Sequence, residues 1–238
     1  VTPLLARVYP NGQADVNHFH AAGGMGYVIR ELLGAGLLDG TAATVAGDSL
    51  ADYAREPVLA DNGLVWRDAP ADSLDRDILR PASDPHAPNG GLRMLDGALG
   101  KSVIKISAVA PARQLIEAPA AIFDDEAAVK AAYAEGALDR DVVVVVRGQG
   151  PQATGMPELH SLTPMLSNLQ DKGYAVALVT DGRMSGASGS VPAAIHVTPE
   201  AVAGGPIGQL ADGDMIRLDA ANGRLDVDAD LSQRPVYG

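Results

Sequence analysis

Apolar and polar positions change their pattern twice along this chain, near residue 57 and near residue 101. Residues 1–56 read as α/β. Residues 2–9 are apolar and β-prone until Pro10-Asn11-Gly12 breaks the run. Residues 21–38 place Met25, Val28, Ile29, Leu32 and Leu33 on one helical face, with Gly36 near the end. A short strand is expected over 41–45. From 57 to 100 periodicity is lost. Pro57, Pro70, Pro81, Pro85 and Pro88 punctuate an Asp-rich stretch, which reads as linker and irregular loops. The domain boundary is placed near Pro57, dividing residues 1–56 from 57–238.

Beyond Lys101 the pattern sharpens. Residues 102–109 alternate like a half-buried strand, and 121–123 read as another. A helix is expected over 125–135, capped by Asp124 or Asp125. Five consecutive valines, Val142–Val146, fit a strand buried on both faces. A glycine-rich loop follows, from Gly148 to Gly155, and then a helix over 157–172 with Pro157 in its first turn and Gly173 as its stop. The next buried strand, 174–180, ends in a second loop of small residues, 181–190. Residues 214–219 and 224–227 form a hairpin around Asn222-Gly223. Two glycine-rich loops thus leave the same edge of neighbouring strands, where open α/β sheets place ligands.

Composition narrows what such loops hold. Hydrophobic residues make up 47% and charged residues 20%, enough for a packed core, while only 4% are aromatic, so that core is Ala, Val, Leu and Ile. A net charge of −12 repels phosphate backbones, which argues against nucleic acid, and any anion site must gather its own cations. With no cysteine, the chain holds no disulfide, thiolate zinc or cysteine-ligated cluster. No apolar run approaches the roughly 20 residues of a membrane span, and the start does not resemble a signal peptide. The missing initiator Met and an opening inside an expected strand mark the sequence as a fragment, and the expected setting is cytoplasmic.

The candidate chemistry lies mainly in the two loops. The first is neither a Walker A loop nor a dinucleotide fingerprint, yet its glycines allow a ligand close to the backbone. Glu158 carries two readings: a first-turn acid favourable to a helix dipole, or a hard oxygen ligand for Mg²⁺. His160 is a surface cap or a substrate contact. In the second loop Arg183 suits a carboxylate or phosphate, or else bridges to Asp181. Ser185 is a loop hydroxyl or a catalytic group; the Gly-x-Ser-x-Gly pattern is absent, and a triad would also need His196 and an acid. His18 and His20, two positions apart, would share one face of a strand or lie in a loop. They lack further ligands for zinc, so positioning an anionic substrate is the reading kept. Gly90 and Gly91 form another close-approach loop, with Arg80 and Arg93 near it.

Four stretches together resemble the dihydroxy-acid dehydratase and phosphogluconate dehydratase family: ARVYPNGQADVNHFHAAGG, LRPASDPHAPNGGLRMLDGALGKSVIKISAVA, RGQGPQATGMPELHSLTP and LVTDGRMSGASGSVPAAIHVTPEA. They span nearly the whole chain in the family's order. The Met-Ser-Gly-Ala-Ser run from Met184 and the Asn17-His18-Phe19-His20 run look more like the phosphogluconate branch. The resemblance implies a swivelling β/β/α, barrel-like C-terminal domain preceded by the end of an α/β N-terminal domain. It also implies dehydration of a phosphorylated sugar acid, 6-phosphogluconate, to 2-keto-3-deoxy-6-phosphogluconate. An iron–sulfur cluster (4Fe-4S, ligands outside this chain) and Mg²⁺ are the implied cofactors. Glu158 matches the family's magnesium carboxylate and Ser185 its proton acceptor. Arg183, His18, His20, Gly90, Gly91, His160 and Ser188 are the expected substrate contacts, Ser188 standing in where some members carry Thr and this chain has Ala187. The implied partners are the N-terminal half of the same enzyme and, at full length, a second copy; the fragment alone would be inactive. The competing expectations are another dehydratase of the family or a non-catalytic anion-binding module.

Overall fold

The computed structural model describes residues 2–45, 47–185 and 190–238. They form two compact units, Val1–Gly91 and Leu92–Gly238. The division falls well past Pro57, which lies inside a strand of a hairpin.

In the first unit, helix α1 (Val16–Ala21) begins at Asp15, whose carboxylate accepts from the backbone N–H groups of Asn17 and His18. Helix α2 (Gly24–Gly34) follows. The single helix expected over 21–38 is therefore two shorter ones. The reason is local: Gly23 and Gly24 have φ of 138° and 61°, in the region that favours glycine, and they turn the chain between the helices. Tyr27, Ala22, Ile78 and Leu79 make this unit's core. The strands expected over 2–9 and 41–45 do not form. Leu4, Ala6 and Val8 make isolated bridges to Ala87, Leu79 and Ala14, and Thr44 bridges only to Gly47, so no continuous partner extends any ladder. The stretch read as irregular loop holds a hairpin instead, β1 (Arg55–Ala60) and β2 (Gly63–Asp68). Its two-residue turn is Asp61-Asn62, closed by the pairing of Ala60 with Gly63, a hairpin signal that the surrounding prolines obscured.

The second unit is a closed eight-stranded barrel with helices on its outside. Its strands are β3 (Leu92–Gly97), β4 (Gly100–Lys105), β5 (Leu115–Phe123), β6 (Val142–Val146), β7 (Val176–Thr180), β8 (Ala193–Thr198), β9 (Met215–Asp219) and β10 (Arg224–Asp228). The order around the barrel is β10-β3-β4-β8-β7-β6-β5-β9, closed by the β9–β10 hairpin. The barrel-like β/β/α architecture is thus as expected, and strand β5 is longer than the three residues read from the sequence. The pairings β5–β6, β6–β7 and β7–β8 are parallel, while β5 meets β9 and β8 meets β4 antiparallel. The valine run explains its own burial. Val143 and Val145 face the barrel interior with Ile104, Ile116 and Leu218. Val142, Val144 and Val146 face outward under α3 (Glu126–Ala134) and α4 (Thr163–Asp171), with Val129, Leu166 and Leu169. All five are fully buried, and each contributes about 1.5–3 kcal/mol relative to an exposed valine.

Helix α3 starts at Asp125, whose side chain accepts from Ala128 N–H, as the sequence indicates. The next helix does not start where expected. A single 3₁₀ turn covers His160–Leu162, and α4 begins at Thr163 with Pro164 in its first turn. Pro157 and Glu158 lie outside any helix, so the dipole reading of Glu158 falls away.

Candidate functional site

Strands β6 and β7 are parallel, with Val146 opposite Thr180, so the loops that follow them emerge side by side at one end of the barrel. A buried carboxylate ties them together. Asp181 accepts from the N–H groups of Gly148 (3.1 Å) and Gln149 (2.9 Å) in the first loop, and of Ala201 (2.9 Å) beyond β8. Glu200, also buried, accepts from Gln152 (3.1 Å) and Ala153 (3.3 Å) further along the first loop. Charge-assisted bonds to backbone N–H groups are the stronger kind, and they leave neither carboxylate bare in the interior. The first loop must be glycine where it meets these acids, because a Cβ on Gly150 would run into the Glu200 carboxylate.

Held this way, the far end of the first loop meets the beginning of the second. Glu158 and Arg183 form a parallel β-bridge, and Leu159 N–H donates to Arg183 carbonyl at 3.1 Å. On top of this backbone contact, Glu158 Oε2 accepts from an Arg183 guanidinium nitrogen at 2.7 Å. Glu158 Oε1 accepts from the backbone N–H of Ser185 at 2.6 Å. Arg183 Nε also donates to the Met156 carbonyl at 2.9 Å. Met156 has φ 57°, a left-handed conformation rare outside glycine, asparagine and aspartate. Both Glu158 and Arg183 keep part of their side chains in solvent, 33% and 49% exposed, so their ion pair orients the groups and adds little to stability. A cleft of about 530 Å³ lies between Met156 and Gln152, His196 on β8, and Pro199 and Glu200 beyond β8; of the residues above, Met156 lines it and Glu158, Arg183 and Ser185 do not.

Three of the expected site residues, Glu158, Arg183 and Ser185, are therefore brought together. His160 lies two positions from Glu158, exposed in the 3₁₀ turn. Ser188 lies outside the described residues. The alternative bridge from Arg183 to Asp181 does not form: Arg183 pairs with Glu158, and Asp181 is consumed by three backbone N–H groups. The remaining expected contacts belong to the first unit. His18 and His20 sit on helix α1, not on a strand or loop, because Asp15 caps that helix; the Asp15 backbone N–H donates to His18 Nδ1 at 3.4 Å, completing a capping box. His20 lines a cleft of about 280 Å³ with Glu56, Arg67 and Asp68. Gly91, at φ 79°, donates its N–H to Asn89 Oδ1 at 3.1 Å, closing a local turn at Gly90 and Gly91. Arg93 is not a free surface cation; it donates to the carbonyls of Ala220 and Ala221.

Asp181 and Glu200 are the organising residues that sequence reading missed. Their partners lie 20 to 48 positions away, and only the barrel brings them within reach.

Among the described residues no group of three or more His, Cys, Asp and Glu is placed to hold a metal ion. Glu158 is the hard oxygen donor at the meeting of the loops, and the cation seated on it is the Arg183 guanidinium. That arrangement fits a contribution of one ligand to a divalent ion. An iron–sulfur cluster does not fit this chain, which has no cysteine to hold it. No helix among the described residues is long and apolar enough to cross a membrane.

The chain is similar to known dehydratases along nearly all its length. Residues 77–235 match the family model "Dihydroxy-acid/6-phosphogluconate dehydratase C-terminal", and residues 1–53 match the corresponding N-terminal model. Phosphogluconate dehydratase of Pseudomonas aeruginosa is 61% identical over 227 residues, covering 95% of this chain and 37% of that protein. The enzyme of the same name from Escherichia coli (strain K12) is 51% identical, covering 98% of this chain and 39% of its own length. Dihydroxy-acid dehydratase of Nitratidesulfovibrio vulgaris is 40% identical over 95% of this chain and 39% of that protein. The chain therefore spans about two fifths of the length of the curated relatives it matches.

Proposed function

Because the chain belongs to the dihydroxy-acid/6-phosphogluconate dehydratase family, we propose that it is the C-terminal portion of a hydro-lyase. The enzyme converts 6-phosphogluconate to 2-dehydro-3-deoxy-6-phosphogluconate. The observation that carries this reading is the convergence of Glu158, Arg183 and Ser185 at the mouth of two loops braced by Asp181. The higher identity to phosphogluconate dehydratases than to the dihydroxy-acid dehydratase supports the substrate.

In this reading Ser185 accepts the C2 proton. The electrons of the broken C2–H bond form the C2–C3 double bond as the C3–O bond breaks; the departing hydroxide takes up the proton from Ser185 and leaves as water, and the resulting enol gives up its C2 hydroxyl proton and gains one at C3 to become the keto acid. An iron–sulfur cluster, which would be held by cysteines elsewhere in the enzyme, would supply the Lewis acid for the departing hydroxyl. A serine oxygen is a weak base at neutral pH, so the site must favour its ionised form with positive charge. Arg183 is the cation that this chain contributes. Glu158 supplies one oxygen to a Mg²⁺ ion, which when bound neutralises charge growing on the substrate carboxylate. The family resemblance supports His160 and Ser188 in the second unit, and separately His18, His20, Gly90 and Gly91 in the first, as proposed contacts to the sugar acid.

The reading further assigns residues 1–56 to the end of the N-terminal domain, supported by the family match that ends at 53. A homodimeric, cytoplasmic full-length enzyme is part of the same proposal, supported by the resemblance alone. The test is turnover by the complete enzyme of 6-phosphogluconate, unphosphorylated gluconate and a branched dihydroxy acid. A clear preference for the phosphorylated acid is expected. Preference for the dihydroxy acid would move the chain to the other branch, and no turnover of any of them would favour an anion-binding module.

A further inference from the structure

The carboxylate proposed as a metal ligand already has a partner on each oxygen. Glu158 Oε1 is held by Ser185 N–H at 2.6 Å, and Oε2 by the Arg183 guanidinium at 2.7 Å. Of these two, the backbone N–H is part of the loop and can stay in place when another ligand arrives. The guanidinium is different, since it and a divalent cation would be competing positive charges at one oxygen. Arg183 is also held independently of Glu158, because its Nε donates to the Met156 carbonyl at 2.9 Å. Losing the Glu158 contact would therefore free the end of the guanidinium while its base stays tethered. The ion pair is half in solvent, which makes it easy to exchange.

From this we infer that Arg183 is a placeholder cation. It occupies Glu158 Oε2 until a divalent ion takes that oxygen, and then, still anchored on Met156, presents its freed N–H groups to the anionic substrate. Metal binding and substrate recognition are thereby coupled through one side chain. Without the ion the same pair keeps Glu158 from turning away and offsets its charge. The inference rests on Glu158 being a metal ligand, and the experiment separates the two claims.

The test uses the full-length enzyme, with Mn²⁺ alone as the probe. Binding is followed by the loss of the free-ion electron paramagnetic resonance signal, and substrate KM is measured separately. Arg183→Gln removes the competing charge and is expected to tighten Mn²⁺ binding roughly two- to five-fold, the strength of an exposed ion pair, while raising substrate KM. Arg183→Lys keeps the positive charge and is expected to bind Mn²⁺ within about two-fold of the parent; since it retains the charge in a similar volume, it also guards against a folding defect in Arg183→Gln. Unchanged or weaker Mn²⁺ binding in Arg183→Gln overturns the placeholder role, because a purely structural brace would behave that way. Glu158→Gln is the control: if it leaves Mn²⁺ binding untouched, the ligand assignment itself fails. If it abolishes binding while Arg183→Gln has no effect, only the placeholder role fails.

Discussion

Glu158 and Ser185 are joined by a hydrogen bond of 2.6 Å from the serine backbone N–H to the glutamate carboxylate, across 27 positions of sequence. The bond links two loops that leave adjacent parallel strands. It makes the position of a proposed base depend on the position of a proposed metal ligand.

The first consequence concerns Ser185 itself. In the complete enzyme, Ser185→Ala removes the hydroxyl and keeps the backbone N–H that holds Glu158. Turnover is expected to fall by about 10²–10⁴, the usual contribution of a positioned proton acceptor, with the absorbance of the proposed cluster and the melting temperature unchanged. Near-parental turnover in that variant would remove Ser185 from the proton-transfer role.

Asp181 is expected to matter for both fold and site. Asp181→Ala leaves three buried backbone N–H groups, on Gly148, Gln149 and Ala201, without their acceptor. Each unsatisfied group costs about 1–3 kcal/mol before relaxation, so thermal unfolding should shift down by many degrees. Asp181→Asn keeps one acceptor oxygen and should lose less. Equal stability of the alanine variant and the parent would mean that the loops are braced by something else.

The outer layer of the barrel gives a third expectation. Leu166 on α4 is fully buried against the outward valines of β6. Leu166→Ala should destabilise the enzyme by about 2–5 kcal/mol, read by chemical denaturation, without altering substrate KM.

Acid sensitivity should be partly set by Asp214. Its hydrogen bonds with the Arg234 guanidinium hold its pKa below the usual 3.8. A carboxylate with a depressed folded pKa stabilises the protein above its unfolded pKa, and that stability is lost as pH falls through the lower folded value. Arg234→Gln should therefore lower stability near neutral pH. The gap from the parent should close progressively below about pH 4. A gap that stays constant down to pH 2 would assign the loss to packing and not to the carboxylate.

Much of the second unit was legible because its signals are local. The run Val142–Val146 can only be a strand buried on both faces, and Asn222-Gly223 between alternating segments can only be a tight turn. Asp125 before an alanine-rich stretch caps a helix wherever it stands. Elements went wrong where neighbours decided them. Residues 2–9 are β-prone, but ladder bonds need a partner strand, and single bridges were all the surroundings offered. Glu158 follows a proline that reads as a helix start, yet its backbone bridges to Arg183 instead and leaves the helix to begin at Thr163.

What the amino-acid order determined by itself was the set of chemical groups: two glycine-bearing loops after buried strands, with a carboxylate, a guanidinium and a hydroxyl among them and no cysteine anywhere. Which of those groups touch was decided only by closure of the barrel. Parallel pairing of β6 with β7 sets the loops side by side, and Asp181 locks them through N–H groups that carry no side-chain signature. Backbone donors look alike in every sequence, so the choice of partner is made by distance in space.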